Sequence, residues 1–261
     1  MLAPVSEGAT FVLVHGAFHD STAWSRVVER LQLAGHRALA VDLPGRPRNP
    51  LPIDQVTLQA HTDQVLALVG SEPDPPVLLV GHSLGGIVIS AVAEIVPHRI
   101  KTLVYVAGYL PRSGQSGRKL SMEDTDSLWN DRNFVISADT RTATILREDA
   151  IALLGEDLAP SDRQRLLDML VPEPLLPIRT PVILSREQFG QVDKVYIKTL
   201  RDRTISPVLQ DRMLARTHVR QVLTLDTGHS PYLSQPQALA QMLINAGVRE
   251  RTADHLHLTS R

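Results

Sequence analysis

The chain has no cysteine among its 261 residues, which excludes disulfides, thiolate nucleophiles and cysteine-ligated zinc or iron–sulfur centres together. It also lacks an excess of either charge: 27 Lys and Arg face 28 Asp and Glu, for a net charge of −1. Such a balance offers no electrostatic footprint for nucleic acid or an anionic membrane, so neither is expected as a partner. No apolar run approaches the roughly 18 residues of a membrane span. The opening MLAPVSEGAT has neither the cationic start nor the apolar stretch of a secretory leader. A cytoplasmic location is the expectation. HExxH and the dinucleotide-binding glycine fingerprint are missing too, so no metal and no cofactor is expected.

What is present is a recurring set of short runs rich in Val, Leu and Ile: FVLV at 11–14, ALAV at 38–41, VLLV at 77–80, TLVYV at 102–106, KVYIK at 194–198 and QVLTL at 221–225. Runs of this length suit strands buried on both faces of a parallel sheet. Helical patterns lie between them, at 23–35, 57–70 and 87–97. Strand and helix in alternation predict an α/β fold with a doubly wound, mostly parallel sheet. The alternation stops between about Tyr109 and Pro181, where strand-like runs vanish and helical segments such as SDRQRLLDMLV take over. The expected organisation is a core of 1–108 and 182–248, a mainly helical cap inserted at 109–181, and a polar tail at 249–261. Within the cap, GQSGRK at 114–119 lacks the ending and the flanking elements of a phosphate loop and reads as a mobile loop.

The segment LVGHSLGG at 79–86 crowds Gly81, Gly85 and Gly86 around one serine. Glycines cost about 1 kcal/mol each in a helix interior, so their concentration signals a backbone constraint. A sharp turn from strand VLLV into helix IVISAVAEIV explains it: Ser83 stands at the apex in a strained conformation, and small neighbours let the helix pack beneath. The N–H of Leu84, at the helix start, then points to where an oxyanion would form. HGAF at 15–18 follows the first strand, and the N–H of Ala17 is the second donor.

A serine hydroxyl needs a base, and the base needs a group that fixes its tautomer. His229, in DTGHSPYL, follows the strand-like QVLTL; Asp202, in KTLRDRTISP, follows KVYIK. Both fall on loops at the carboxyl edge of the sheet, and the order serine, acid, histidine is that of a nucleophile-elbow hydrolase. Asp226 is the rival acid but lies only three residues before His229, too close to reach across, and Asp202 is preferred. Among the other histidines, His15 and His82 are tied to the two turns and are expected to orient backbone there.

With these residues in hand the chain resembles the α/β-hydrolase superfamily, in particular the branch of plant methyl esterases and hydroxynitrile lyases. The resemblance runs through FVLVHGAFHDSTAW, GHSLGG, LVYVAGYLP, LAPSDRQRLLDMLVP, REQFGQVDKVYIKTLRDRTISP and DTGHSPYLSQP. It implies ester hydrolysis by Ser83, Asp202 and His229, with Ala17 and Leu84 as oxyanion donors, and a small, partly apolar ester as the partner molecule. It also implies that Tyr109, Trp129 and Phe134 line an acyl pocket. Lyases of the branch carry threonine where this chain has Gly16 and lysine where it has Ser230, so the resemblance favours an esterase over a carbon–carbon lyase; a non-catalytic small-molecule receptor is the third reading. A homodimer is compatible with the sequence, which does not fix the oligomeric state.

Overall fold

The computed structural model describes residues 8–72 and 76–248; the predicted tail at 249–261 lies outside the described residues. Six strands form one parallel sheet: β1 (Thr10–Val14), β2 (Arg37–Val41), β3 (Val77–His82), β4 (Ile100–Val106), β8 (Lys194–Thr199) and β9 (Gln221–Leu225), in the order β2-β1-β3-β4-β8-β9. All six apolar runs read from the sequence are these strands. Their residues alternate between two cores. Phe11, Leu13, Leu78, Val80, Val104 and Val106 pack on one face, with α1 (Ser25–Leu33) and α10 (Pro236–Ala246). Val12, Val14, Leu79, Leu103, Tyr105 and Tyr196 pack on the other, with α2 (Leu58–Ser71), α3 (Gly85–Ile95) and α8 (Pro207–Leu214). Burial on both faces is why the inner strands β1, β3, β4 and β8 are continuous in apolar residues rather than alternating with polar ones.

From β1 the chain crosses outward to β2, then returns to form β3 on the other side of β1. The loops after β1 and β3 therefore leave in opposite directions and open a crevice at the carboxyl ends of the strands, the place where this class of sheet binds ligands. Helices α1 and α3 follow those loops. Their buried stripes differ: α1 buries only Val27 and Leu31, whereas α3 is buried along nearly its whole length.

Between β4 and β8 lie α4 (Gly117–Met122), β5 (Phe134–Ile136), β6 (Thr142–Ile145), α5 (Ala150–Leu154), α6 (Pro160–Asp168), β7 (Glu173–Pro174) and α7 (Leu175–Arg179). The helix expected over SDRQRLLDMLV is α6. Two expectations need correction. Strands do not vanish from this insert: β5, β6 and β7 form a small antiparallel sheet of two- to four-residue strands. Val135 and Ile136 of β5 stay exposed, so no buried apolar run marks these strands in the sequence. GQSGRK is likewise not a loop throughout: Gly114 turns at φ +81°, and Ser116 caps α4 by accepting the N–H of Lys119 at 3.1 Å. Among the described residues the last elements are α9 (Pro231–Ser234) and α10. No described helix is long and apolar enough to cross a membrane.

Candidate active site

Ser83 sits between the end of β3 and the start of α3 with φ +52°. A side chain with a Cβ tolerates this left-handed conformation only when the surroundings impose it, and here three backbone hydrogen bonds do so. The Ser83 N–H donates to Val106 at 3.2 Å, and its carbonyl accepts the N–H groups of Gly86 and Tyr109, both at 3.0 Å. The glycines have the steric purpose read from the sequence. A Cβ on Gly86 would come within 2.2 Å of the Tyr109 carbonyl oxygen, one on Gly85 within 2.7 Å of that of Val14, and one on Gly81 within 2.7 Å of that of Gly85. The turn is closed to larger residues by backbone, which cannot move aside.

The loops after β8 and β9 bring Asp202 and His229 together. The Nδ1–H of His229 donates to Oδ2 of Asp202 at 2.8 Å, with both side chains almost wholly buried. The same carboxylate accepts the backbone N–H groups of Thr204 at 2.8 Å and Ile205 at 2.9 Å on Oδ1, and the Thr199 hydroxyl at 2.9 Å on Oδ2. Four donors thus satisfy a buried carboxylate, as its removal from water requires. With Nδ1 committed to Asp202, Nε2 is the basic atom of the ring. The rival Asp226 faces solvent and pairs with Arg201 at 2.9 Å. It plays no part in this cluster.

Ser83 and His229 line one cavity of about 390 Å³ at the carboxyl edge of the sheet. Ala17, Leu84, Tyr109, Trp129 and Phe134 line it as well, so the structure gathers into one space every site residue singled out from the sequence except Asp202, which stands behind His229. Leu84 immediately precedes α3, and neither its N–H nor that of Ala17 has an acceptor among the described residues. Trp129 and Phe134 meet edge to face, with centroids 5.6 Å apart.

Sequence reasoning missed several residues here. Phe18 completes a three-ring cluster, 5.7 Å from Trp129 and 6.0 Å from Phe134. His19 lines the cavity, donates from Nδ1 to the Ala17 carbonyl at 2.9 Å, and is pushed by burial down to about 4. It is therefore neutral at physiological pH. Their signal was adjacency to HGA in the loop after β1. His82 does more than steady its own turn: its Nε2–H donates to the His229 carbonyl at 2.8 Å, and burial holds the ring well below the usual histidine range. It ties the serine turn to the histidine loop. His15 behaves as expected, donating from Nδ1 to the Gly16 carbonyl at 2.8 Å and accepting the Leu43 N–H on Nε2 at 3.3 Å.

The sequence profile of the Alpha/beta hydrolase family matches residues 11–242. The chain belongs to that family. Among similar curated proteins, this hydrolase is 29% identical to Methylesterase 7 of Arabidopsis thaliana over 245 residues, covering 90% of this chain and 94% of the relative. It is 26% identical to the probable esterase PIR7A of Oryza sativa subsp. japonica, covering 93% and 98%. Among solved structures, tomato methylketone synthase I complexed with 2-tridecanone superposes with a TM-score of 0.82 at 23% identity, covering 91% of this chain and 97% of that one. Polyneuridine aldehyde esterase superposes with a TM-score of 0.80 at 22% identity, covering 92% and 100%. The structural likenesses bear on the fold; the sequence relatives mark this as an esterase-like α/β hydrolase.

Proposed function

We propose that the protein is a serine carboxylic-ester hydrolase working through an acyl-enzyme on a small, partly apolar ester. His229 Nε2 takes the hydroxyl proton of Ser83 as Oγ attacks the ester carbonyl, and the N–H groups of Ala17 and Leu84 stabilise the oxyanion. The tetrahedral intermediate collapses, the ester C–O bond breaks, and the alcohol leaves with the proton from His229. Water, deprotonated by His229, then attacks the acyl carbon and releases the acid and Ser83. Asp202 holds the Nδ1–H tautomer throughout and stabilises the imidazolium. Phe18, Trp129 and Phe134 offer apolar walls to the acyl or alcohol part.

The observation that carries this reading is the buried Asp202–His229 hydrogen bond at 2.8 Å, beside a cavity that His229 shares with a serine in a strained turn. A lyase reading loses support at the two positions that distinguish it. A Cβ on Gly16 would lie 2.8 Å from both Ser83 Cβ and His82 Nδ1, which leaves no room for threonine without moving the turn. Ser230 is fully buried and hydrogen-bonded to the Tyr232 hydroxyl at 3.1 Å, a poor place for a lysine ammonium.

The test is Ser83→Ala, assayed with an activated aryl ester and labelled with a fluorophosphonate. Loss of both the alcohol burst and the label in a folded variant supports the reading; retained turnover overturns it. Cyanide release from a cyanohydrin, or ligand binding without turnover by the wild type, would favour the lyase or receptor instead.

A further inference from the structure

Two consecutive peptide planes, Gly16–Ala17 and Ala17–Phe18, run through the loop after β1, where Ala17 and Phe18 line the cavity, and side chains hold both planes. His15 holds the carbonyl of the first. The second is held at both ends: its carbonyl accepts from His19, and its N–H, that of Phe18, donates to Oε2 of Glu173 at 2.7 Å. Phe18 stands at φ +62°, a conformation that a bulky residue keeps only under external restraint.

Glu173 does not come from the sheet or its helices. It lies on β7, in the insert between β4 and β8, and is fully buried. Its Oε2 also pairs at 2.5 Å with Arg46, itself 1% exposed, in the turn beyond β2. Arg46 in turn reaches the Pro172 carbonyl at 3.5 Å. Burying a carboxylate and a guanidinium is costly, and apolar residues of equal volume stabilise a fold as well or better. An ion pair at this spot is thus poorly explained by stability. Its particular product is a strong, charge-assisted acceptor for one backbone N–H.

We infer that Glu173 is a positioning residue: through it the insert holds the Ala17–Phe18 peptide in place and so fixes the aim of the Ala17 N–H at the developing oxyanion. Ala17 is the joint between the two planes. Release of the second lets Phe18 relax toward negative φ and shifts that joint, and a displacement of about 1 Å in a reacting geometry costs on the order of 100-fold in rate. The oxyanion site is then complete only while the insert is docked. The inference rests on the reading of Ala17 as an oxyanion donor.

Wild type, Glu173→Ala, Glu173→Gln and Glu173→Asp are compared on an activated aryl ester, well below their melting temperatures, and titrated with an aryl trifluoromethyl ketone whose adduct with Ser83 carries the oxyanion. The alanine variant should lose about 10- to 100-fold in kcat with KM nearly unchanged, and ketone affinity should fall by the same factor as kcat/KM. Glutamine keeps an acceptor for the Phe18 N–H and should recover most of the activity. Aspartate keeps the charge facing Arg46 but withdraws the acceptor by one methylene, and should remain as slow as alanine. If the alanine variant does not fold, the order glutamine above aspartate decides alone. Lowered melting temperatures with unchanged kcat and ketone affinity, or aspartate outperforming glutamine, would overturn the inference. An inactive wild type, or an active Ser83→Ala, removes the esterase reading and this inference with it. An active wild type, a dead Ser83→Ala and unaltered Glu173 variants refute the inference alone.

Discussion

Lowering the pH of a urea-denaturation series from 7 to 4.5 is expected to expose the cost of keeping His61 uncharged. This residue lies on α2, fully buried, with its Nε2–H donating to the Pro44 carbonyl at 3.0 Å. Its Nδ1 has no partner among the described residues. Burial, reinforced by the positive charge of Arg46, lowers its pKa from 6.5 to about 4. The folded chain thus refuses a proton that the unfolded chain accepts. The corresponding stability is present in full above pH 6.5 and is lost as the pH falls toward 4. One extra proton bound on unfolding corresponds to a slope of about 1.4 kcal/mol per pH unit, and hence to roughly 3 kcal/mol across the whole interval. His19, pushed down to about 4 by burial, adds a loss of the same size over the same window. Carboxylates titrate in part of that range too, so the clean quantity is a difference between proteins. In His61→Gln an amide N–H can still donate to Pro44 while the titrating group is gone. Its stability should fall less steeply than wild type between pH 6 and 4.5, by about 1.4 kcal/mol per unit. Parallel slopes would mean that folded His61 takes up protons as freely as in the unfolded chain, and the argument from its burial would be refuted.

Asp202→Asn should leave the fold intact but disturb the tautomer of His229, lowering kcat on the order of 10³- to 10⁴-fold in steady-state assays; a loss below tenfold would remove Asp202 from its role. Gly16→Ala places a Cβ against Ser83 and His82 at 2.8 Å, so differential scanning should record a destabilisation of about 1–3 kcal/mol, accompanied by a fall in kcat. Trp129→Ala opens the three-ring cluster and should raise KM for aryl esters about tenfold, as an aromatic contact and its burial are lost, while kcat for a short acetyl ester changes little. Gly86→Ala has backbone oxygen 2.2 Å from the new carbon and should not yield soluble, folded protein; a normal melting curve would contradict the packing of the turn.

Much of the fold was legible because the inner strands β1, β3, β4 and β8 are buried on both faces, which writes each of them as a continuous apolar run. The serine turn was legible for a related reason. Its glycines are required by backbone oxygens at 2.2 to 2.7 Å, a constraint that only glycine meets. The Asp202–His229 pair could be inferred because each residue follows a recognisable strand, so topology supplied the proximity. The small sheet of the insert was illegible, since strands of two to four residues carry no periodic pattern long enough to read. Phe18 and His19 were missed for a different reason: in a tight loop, the direction of a side chain depends on a left-handed residue, and φ is not written in composition. The Arg46–Glu173 pair joins residues 127 apart, and two common charged side chains give no sign from sequence that they meet.

The cavity draws its lining from two sources. Residues on the loops after β1, β3, β8 and β9 surround the position of the reacting bond, and all the others fall within the single stretch from Tyr109 to Ile178. A laboratory wishing to redirect this catalyst could therefore transplant that one uninterrupted piece of gene from a cousin, leaving the machinery beneath untouched. On the inference drawn for Glu173, the graft would also need to bring a glutamate at that position, the anchor that reaches the Phe18 N–H.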